Sequence, residues 1–354
     1  MPTILPTSAA PGLDGDDGRQ FRLVSAWLFV IAAMIFAMIV LGGLTRLTHS
    51  GLSMVEWKPV TNWLPPLDHD SWERIFAKYR TSSEYRVFNQ GMTLGEFKSI
   101  FWLEFLHRLW GRIIGVAFLI PFLAFLAMRW ISRGLAVRLL VIFILGGLQG
   151  TLGWFMVKSG LADRPDVSQY RLTAHFGLGL ALFGYVLWVA LGILRNTIEA
   201  APVRHARTAD GLLGLVFVTT LSGALVAGLD AGLAYNTFPF MDGDWIPEGV
   251  FDLSPTYLNL FENIGTVQFN HRVLAVTTLA SVLLFWVAVG RVATTGGIRC
   301  ATGAMAAMAI AQVGLGIGTL LLFVPVALAS LHQAGAVVLF GLTVWVVHEF
   351  RFPG

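Results

Sequence analysis

The sequence predicts an all-α integral membrane protein, with eight transmembrane helices arranged as two pseudo-symmetric four-helix bundles. Charged residues make up 13% of the 354 residues and hydrophobic ones 56%, with a mean hydropathy of +0.70; soluble domains carry about 25% charged residues. Apolar runs of about twenty residues recur along the chain, each long enough to cross a hydrocarbon core of roughly 30 Å as a helix. The two halves of the chain also resemble each other. Together these three observations exclude a soluble globular domain.

Taken in order, residues 1–22 begin MPTILPTSAAPGLDGDDGRQ, which is acidic and rich in Pro and Gly. They read as a disordered cytoplasmic tail, and without a positive stretch before a short apolar core no cleaved signal is expected. Eight apolar runs follow, at 24–44, 105–128, 137–157, 172–193, 211–229, 270–290, 302–323 and 327–347. Arg19 and Arg22 precede the first; Arg129, Arg133 and Arg138 separate the second and third; Arg195, Arg204 and Arg207 separate the fourth and fifth; Arg291 and Arg299 separate the sixth and seventh; Arg351 follows the eighth. The positive-inside rule makes these five places, and both termini, cytoplasmic. The formal charge of +3 therefore marks topology and not a nucleic-acid surface. Outside lie a long segment at 45–104 and a second at 230–269. Within the first, the stretch from about 71 to 100 carries Trp72, Phe76, Tyr79, Tyr85, Phe88 and Phe97, with Phe101 at its end. They read as amphipathic helices resting on the bundle or at the membrane interface.

The repeat is explicit. EFLHRLWGR at 104–112 answers QFNHRVLAV at 268–276, GGLQGTLG at 146–153 answers IAQVGLGIG at 310–318, and TAHFGLGLALFG at 173–184 answers SLHQAGAVVLFG at 330–341. A four-span unit is duplicated, and because four is even both copies enter the membrane in the same orientation. The expected organisation is a four-helix bundle with its outer loop at 23–194, a cytoplasmic linker at 195–210, a second bundle at 211–349 and a short tail at 350–354. Gly146, Gly147, Gly150 and Gly153, with Gly314, Gly316 and Gly318, are expected to let helices approach closely.

Four of eight histidines, His107, His175, His271 and His332, sit just inside the outer ends of the even-numbered runs, two per half. An ionisable side chain there is costly and turns inward to a partner or cofactor. Repeat-related pairs favour ligation: two imidazoles from facing helices can reach an iron from both faces of a flat macrocycle, so a bis-histidine haem is the natural occupant of each half. Zinc lacks further ligands at matching depth, and the single Cys300 excludes an intrachain disulfide or a cysteine-ligated cluster. His49, His69, His205 and His348 read as solvated or interfacial.

The halves differ at one position. Glu104 precedes His107 by three residues, one helical turn away on the same face; its counterpart before His271 is Gln268. A carboxylate can relay protons or stabilise a cationic intermediate, which points to chemistry in the N-terminal half and electron carriage in the C-terminal half; an interfacial pair with Arg108 or Arg112 is the plainer alternative. Arg108 and Arg272 follow the two ligands, where pairing with haem propionates and snorkelling to lipid phosphate are both open.

GGLTRLTHSGLSMVEWKPVTNWLPPL (42–67), MTLGEFKSIFWLEFLHRLWGR (92–112), AYNTFPFMDGDWIP (234–247), ENIGTVQFNHR (262–272) and PVALASLHQAGAVVLFG (325–341) resemble haem A synthase of the mitochondrial and α-proteobacterial type. The resemblance covers nearly all the chain beyond about residue 22. It implies an enzyme of the cell inner membrane that oxidises the C8 methyl group of haem O to the formyl group of haem A, by successive hydroxylation, for terminal oxidases. It assigns His107 and His175 to the substrate haem, His271 and His332 to a haem b, and catalysis to Glu104; Arg108 and Arg272 are counted with the substrate haem and the haem b on their positions beside the histidines alone. It also implies an electron donor, surrounding lipid, a complex with the farnesyltransferase that makes haem O, and scope for a homo-oligomer. The sequence departs from the family in lacking the outer-loop cysteine pair of some relatives and in carrying Asn62 where a glycine is expected. The competing readings are a non-enzymatic dihaem b electron carrier, which gives Glu104 no role, and a transporter, which the outer position of the polar groups disfavours.

Overall fold

The computed structural model describes residues 16–56, 61, 63–160, 167–195, 205–292 and 295–352; Asn62, Arg204 and residues 1–15 of the expected tail lie outside them. In lipid every backbone polar group must be satisfied within its own segment, so each apolar run folds as one uninterrupted helix. Among the described residues eight helices are long and apolar enough to cross a membrane: α1 (Asp16–Leu47), α4 (Leu94–Ala127), α5 (Arg133–Gly160), α6 (Gln169–Arg195), α7 (Ala206–Gly228), α9 (Ile264–Gly290), α10 (Gly296–Leu321) and α11 (Val326–Arg351). Three shorter helices lie in the long connections between α1 and α4 and between α7 and α9, the segments expected on the outer side: α2 (His69–Tyr79), α3 (Ser83–Val87) and α8 (Asn259–Glu262).

Each expected span falls on one long helix, but two ends need correction. The helix α1 begins at Asp16, so residues 16–22, expected in the tail, are its first turns; Pro11 is the last proline, and Gly18 alone does not stop a helix. Helix α4 starts at Leu94, well before 105, because Thr93 and Glu96 close a capping box: the Glu96 backbone N–H donates to Thr93 Oγ1 at 3.3 Å and the Thr93 N–H to Glu96 Oε2 at 2.8 Å. Pro121, inside α4, cannot donate to the carbonyl of Ala117. The Trp27 indole N–H of α1 does so instead, at 2.9 Å.

Helix α1 packs on α4 and α6, and α5 on α6; in the second half α7 packs on α9 and α11, and α10 on α9 and α11. The halves meet through α6 against α7 and α11, and α1 against α11. Side chains such as Leu28, Leu180, Val186, Val337 and Phe340 are buried in that centre, while Val30, Ile120, Val137 and Leu284 stay exposed, as lipid-facing positions do. Polar clamps join the halves: Gln333 Nε2 donates to the Ile39 carbonyl at 2.9 Å, and Arg46 pairs with Asp230 at 2.8 Å.

Candidate functional site

The four even-span histidines stand on α4, α6, α9 and α11, half-buried, and within each half the two rings are near enough to interact electrostatically. Each ring edge lies against a glycine of the neighbouring helix. A methyl group built on Gly42 would sit 2.9 Å from His107 Cε1, on Gly153 3.0 Å from His175 Cε1, on Gly223 3.0 Å from His271 Cε1, and on Gly316 2.8 Å from His332 Cε1. Gly42 and Gly223 are repeat-related, as are Gly153 and Gly316. Of the other small residues, Gly318 packs as expected, a methyl group there standing 3.3 Å from Leu328 Cδ2 of α11, but one on Gly146, Gly147, Gly150 or Gly314 would meet open space, because these positions face away from the neighbouring helices.

The ring nitrogens are oriented by polar partners. Ser222 Oγ lies 2.8 Å from His271 Nδ1, Gln312 Nε2 3.1 Å from His332 Nδ1, and Thr45 Oγ1 3.5 Å from His107 Nδ1. The Ser222 and Thr45 hydroxyls already donate to backbone carbonyls, so each accepts from its histidine's Nδ1 and leaves the Nε2 lone pair of His271 and His107 for a ligand, whereas the Gln312 amide nitrogen donates to His332 Nδ1. The His175 ring is turned the other way, with Nε2 3.4 Å from Gln149 Nε2 and Nδ1 buried without a partner among the described residues. Gln149 and Gln312 occupy equivalent places in the repeat, and each also donates to its histidine's backbone carbonyl, at 2.9 and 2.8 Å. Sequence reasoning did not single them out, although aligning the two copies of the repeat superimposes them.

Glu104 and Gln268 are both buried, and both bond the arginine four residues on. Beyond that their wiring is opposite. Glu104 Oε2 accepts from Ser53 Oγ at 2.6 Å and from the Met54 N–H at 2.5 Å, whereas Gln268 Nε2 donates to the Ala231 carbonyl at 2.6 Å. Arg108 pairs with Glu104 and donates to the carbonyls of Met54 and Glu56; Arg272 donates to those of Tyr235, Thr237 and Phe240. Both guanidiniums thus staple an outer loop over the second helix of their half.

Above the N-terminal site the outer segment forms an aromatic cap. Trp72, Phe76, Tyr79, Phe97, Phe101 and Phe105 are buried together, while Phe88 stays exposed. Of the other histidines, His49 and His69 are exposed and His205 is half-buried. His348, expected to be solvated or interfacial, is fully buried, its ring edge-on to Trp188 at 5.1 Å, because its face of α11 turns inward onto α6 near Gly192.

Among the described residues no group of three or more His, Cys, Asp or Glu side chains is placed to hold a metal ion, so each site offers two imidazoles and no chelating cage. Glycine cradles that a methyl group would fill, and inward nitrogens in apolar surroundings, fit a haem with histidine on both faces. Fold and site together define a multi-pass membrane haem protein. The family model of the cytochrome oxidase assembly protein matches residues 25–344, and the chain belongs to that family. A protein of Nitrosospira multiformis named Heme A synthase is 50% identical over 355 residues, covering 98% of each chain. One of Paramagnetospirillum magneticum with the same name is 49% identical over 93% of this chain and 94% of its own. The Bos taurus protein named Heme A synthase COX15 is 44% identical over 93% of this chain and 82% of its own. Relatives that carry an enzyme's name over nearly their full length favour the synthase over the carrier.

Proposed function

We propose that this chain is a haem A synthase that oxidises the C8 methyl group of haem O to the formyl group of haem A. In this reading His107 and His175 hold the substrate haem in the N-terminal half (23–194), and His271 and His332 hold a resident haem b in the C-terminal half (211–349). The bound haems supply redox-active iron. The chain's own residues do the rest. The glycine cradles seat the imidazoles, Gln149, Gln312 and Ser222 orient them, and Arg108 and Arg272 hold the outer loops over the sites. Glu104, fixed by Arg108, Ser53 and the Met54 N–H, presents a negative charge where positive charge develops on the reacting carbon. The observation that carries the reading is the repeat-related pair Glu104 and Gln268: equivalent sites, one wired for a carboxylate and the other for an amide.

The same reading places the protein in the cell inner membrane with both termini cytoplasmic, supplied by the haem O farnesyltransferase and by a separate electron donor. The test is chromatography of haems extracted from membranes of cells expressing this chain with a haem O synthase. Wild type is expected to accumulate haem A or its hydroxylated precursor, and Glu104→Ala to leave haem O unaltered while retaining haem b. Haem b and unaltered haem O alone in the wild type would return the protein to the electron carriers.

A further inference from the structure

One hydrogen bond between the halves lies directly between the two histidine pairs. Gln333 follows His332 on α11 and reaches across to α1, where its Nε2 donates to the Ile39 carbonyl at 2.9 Å. A methyl group built on Gly43, one turn further along α1, would overlap the Gln333 side-chain oxygen, so the amide occupies the space that the missing side chain leaves. The adjacent Gly42 is the glycine that cradles His107, and Thr45 of the same turn meets His107 Nδ1. One turn of α1 therefore touches a site histidine of its own half and the residue beside a site histidine of the other. The repeat does not provide this junction twice: the positions equivalent to Gln333 and Gly43 are Phe176 and Ala224, and neither side chain can donate a hydrogen bond. The Arg46–Asp230 pair also joins the halves, but the Asp230 side chain is 53% exposed, and an ion pair open to water is worth little.

We propose that Gln333 is a positioning residue that couples the two sites: it locks the His332 turn of α11 to the α1 turn that cradles His107, so that filling the N-terminal site is felt by the haem of the C-terminal site. Ligation fixes the His107 ring, and the ring has no slack against Gly42, so a shift of the ring is passed to α1. The Gln333 amide passes it on to the turn of His332. The reverse holds equally, because coupling between two binding sites is reciprocal. Such a link suits a reaction in which a resident haem responds to the arrival of substrate in the other half. The inference rests on the reading that each half holds a bis-histidine haem, and on nothing about the product formed.

The experiment takes the purified holoprotein, made without a haem O synthase, and loads the N-terminal site with gallium protoporphyrin, a redox-silent haem analogue whose binding is followed by its fluorescence. The midpoint potential of the C-terminal haem is measured with and without this probe. Wild type is expected to show a shift on loading. Gln333→Leu removes the donor, and Gly43→Ala displaces the same amide from the other half. Both variants should keep the resting haem spectrum and bind the probe, yet lose most of the shift. An absent shift in wild type overturns the proposal. So does a shift equally large in both variants, which would mean that the halves act on each other through space alone. Failure of the probe to bind wild type, or binding that His107→Ala leaves unchanged, would instead refute the histidine assignment of the N-terminal half and take the proposal with it.

Discussion

Around each histidine there is room for a hydrogen and none for a methyl group. A methyl on Gly223 would stand 3.0 Å from His271 Cε1, and that ring is also anchored by Ser222, so it cannot swing aside without losing a hydrogen bond. Overpacking of this kind costs about 1–3 kcal/mol. Gly223→Ala is therefore expected to lose or spectrally shift the haem of the C-terminal half, while Gly146→Ala, facing open space, leaves the haem spectrum as in wild type; equal effects would refute the cradle. Glu84, in the first turn of α3 and 3% exposed, makes a prediction about stability. Its folded-state value, about 8 against an ordinary 4.5, means that the fold binds a proton the unfolded chain has released. Stability from this group is greatest below 4.5, declines as pH rises to about 8 and is level above. Thermal melts across that window should slope downward with pH in wild type, and more shallowly in Glu84→Gln. The four histidines of the site were legible in the sequence because an ionisable group inside an apolar run stands out. Their glycine neighbours were not, since a glycine string carries no sign of what faces it, and Glu84 sits beside Ser82 and Ser83 in a stretch whose sequence does not mark which polar side chain turns inward.

At the scale of elements, the spans were legible because lipid leaves a backbone little choice but a helix; helices α2 and α3 were legible as an amphipathic aromatic stretch, though not their separate bounds. What the composition of one helix cannot reveal is the debt that another settles, and Pro121 shows it. The proline leaves the Ala117 carbonyl of α4 without its helical donor, and Trp27 of α1 supplies one at 2.9 Å. Trp27→Phe keeps an aromatic ring there but removes the donor, stranding an acceptor at membrane depth, which costs about 1–3 kcal/mol. In a Pro121→Ala background the helix can satisfy Ala117 itself, and the same Trp27→Phe change should cost much less. Unfolding measurements on the four proteins of this cycle are expected to give a coupling of about 1 kcal/mol or more; additive losses would mean that the indole contributes only packing.

Across the whole molecule, the repeat gives two sites of one plan, and the proposed division of labour rests on where they depart from it. Equivalent helices bring equivalent histidines, glutamines and arginines to the outer ends of both halves, so the repeat was readable from the sequence. The opposite polarity of the loops over them was not, because it depends on which backbone groups of 53–54 and 231 point inward. That polarity yields an asymmetric prediction. Glu104→Gln can still accept from Ser53 Oγ and the Met54 N–H through its amide oxygen; its amide nitrogen then faces Arg108, which loses this acceptor but keeps the Met54 and Glu56 carbonyls, so this variant should fold and bind haem while haem A formation falls at least tenfold. Gln268→Glu, by contrast, turns a carboxylate oxygen toward the Ala231 carbonyl, to which Gln268 now donates at 2.6 Å. Two acceptors in contact in a buried site cost on the order of 1–3 kcal/mol or more, so this variant should lower the melting temperature and loosen the C-terminal haem. The double exchange, which moves the carboxylate to the other half, should recover neither stability nor product. Recovery of haem A formation by the double exchange would show that the halves are interchangeable and that Glu104 acts by its charge alone, without the donor loop that only the N-terminal half presents.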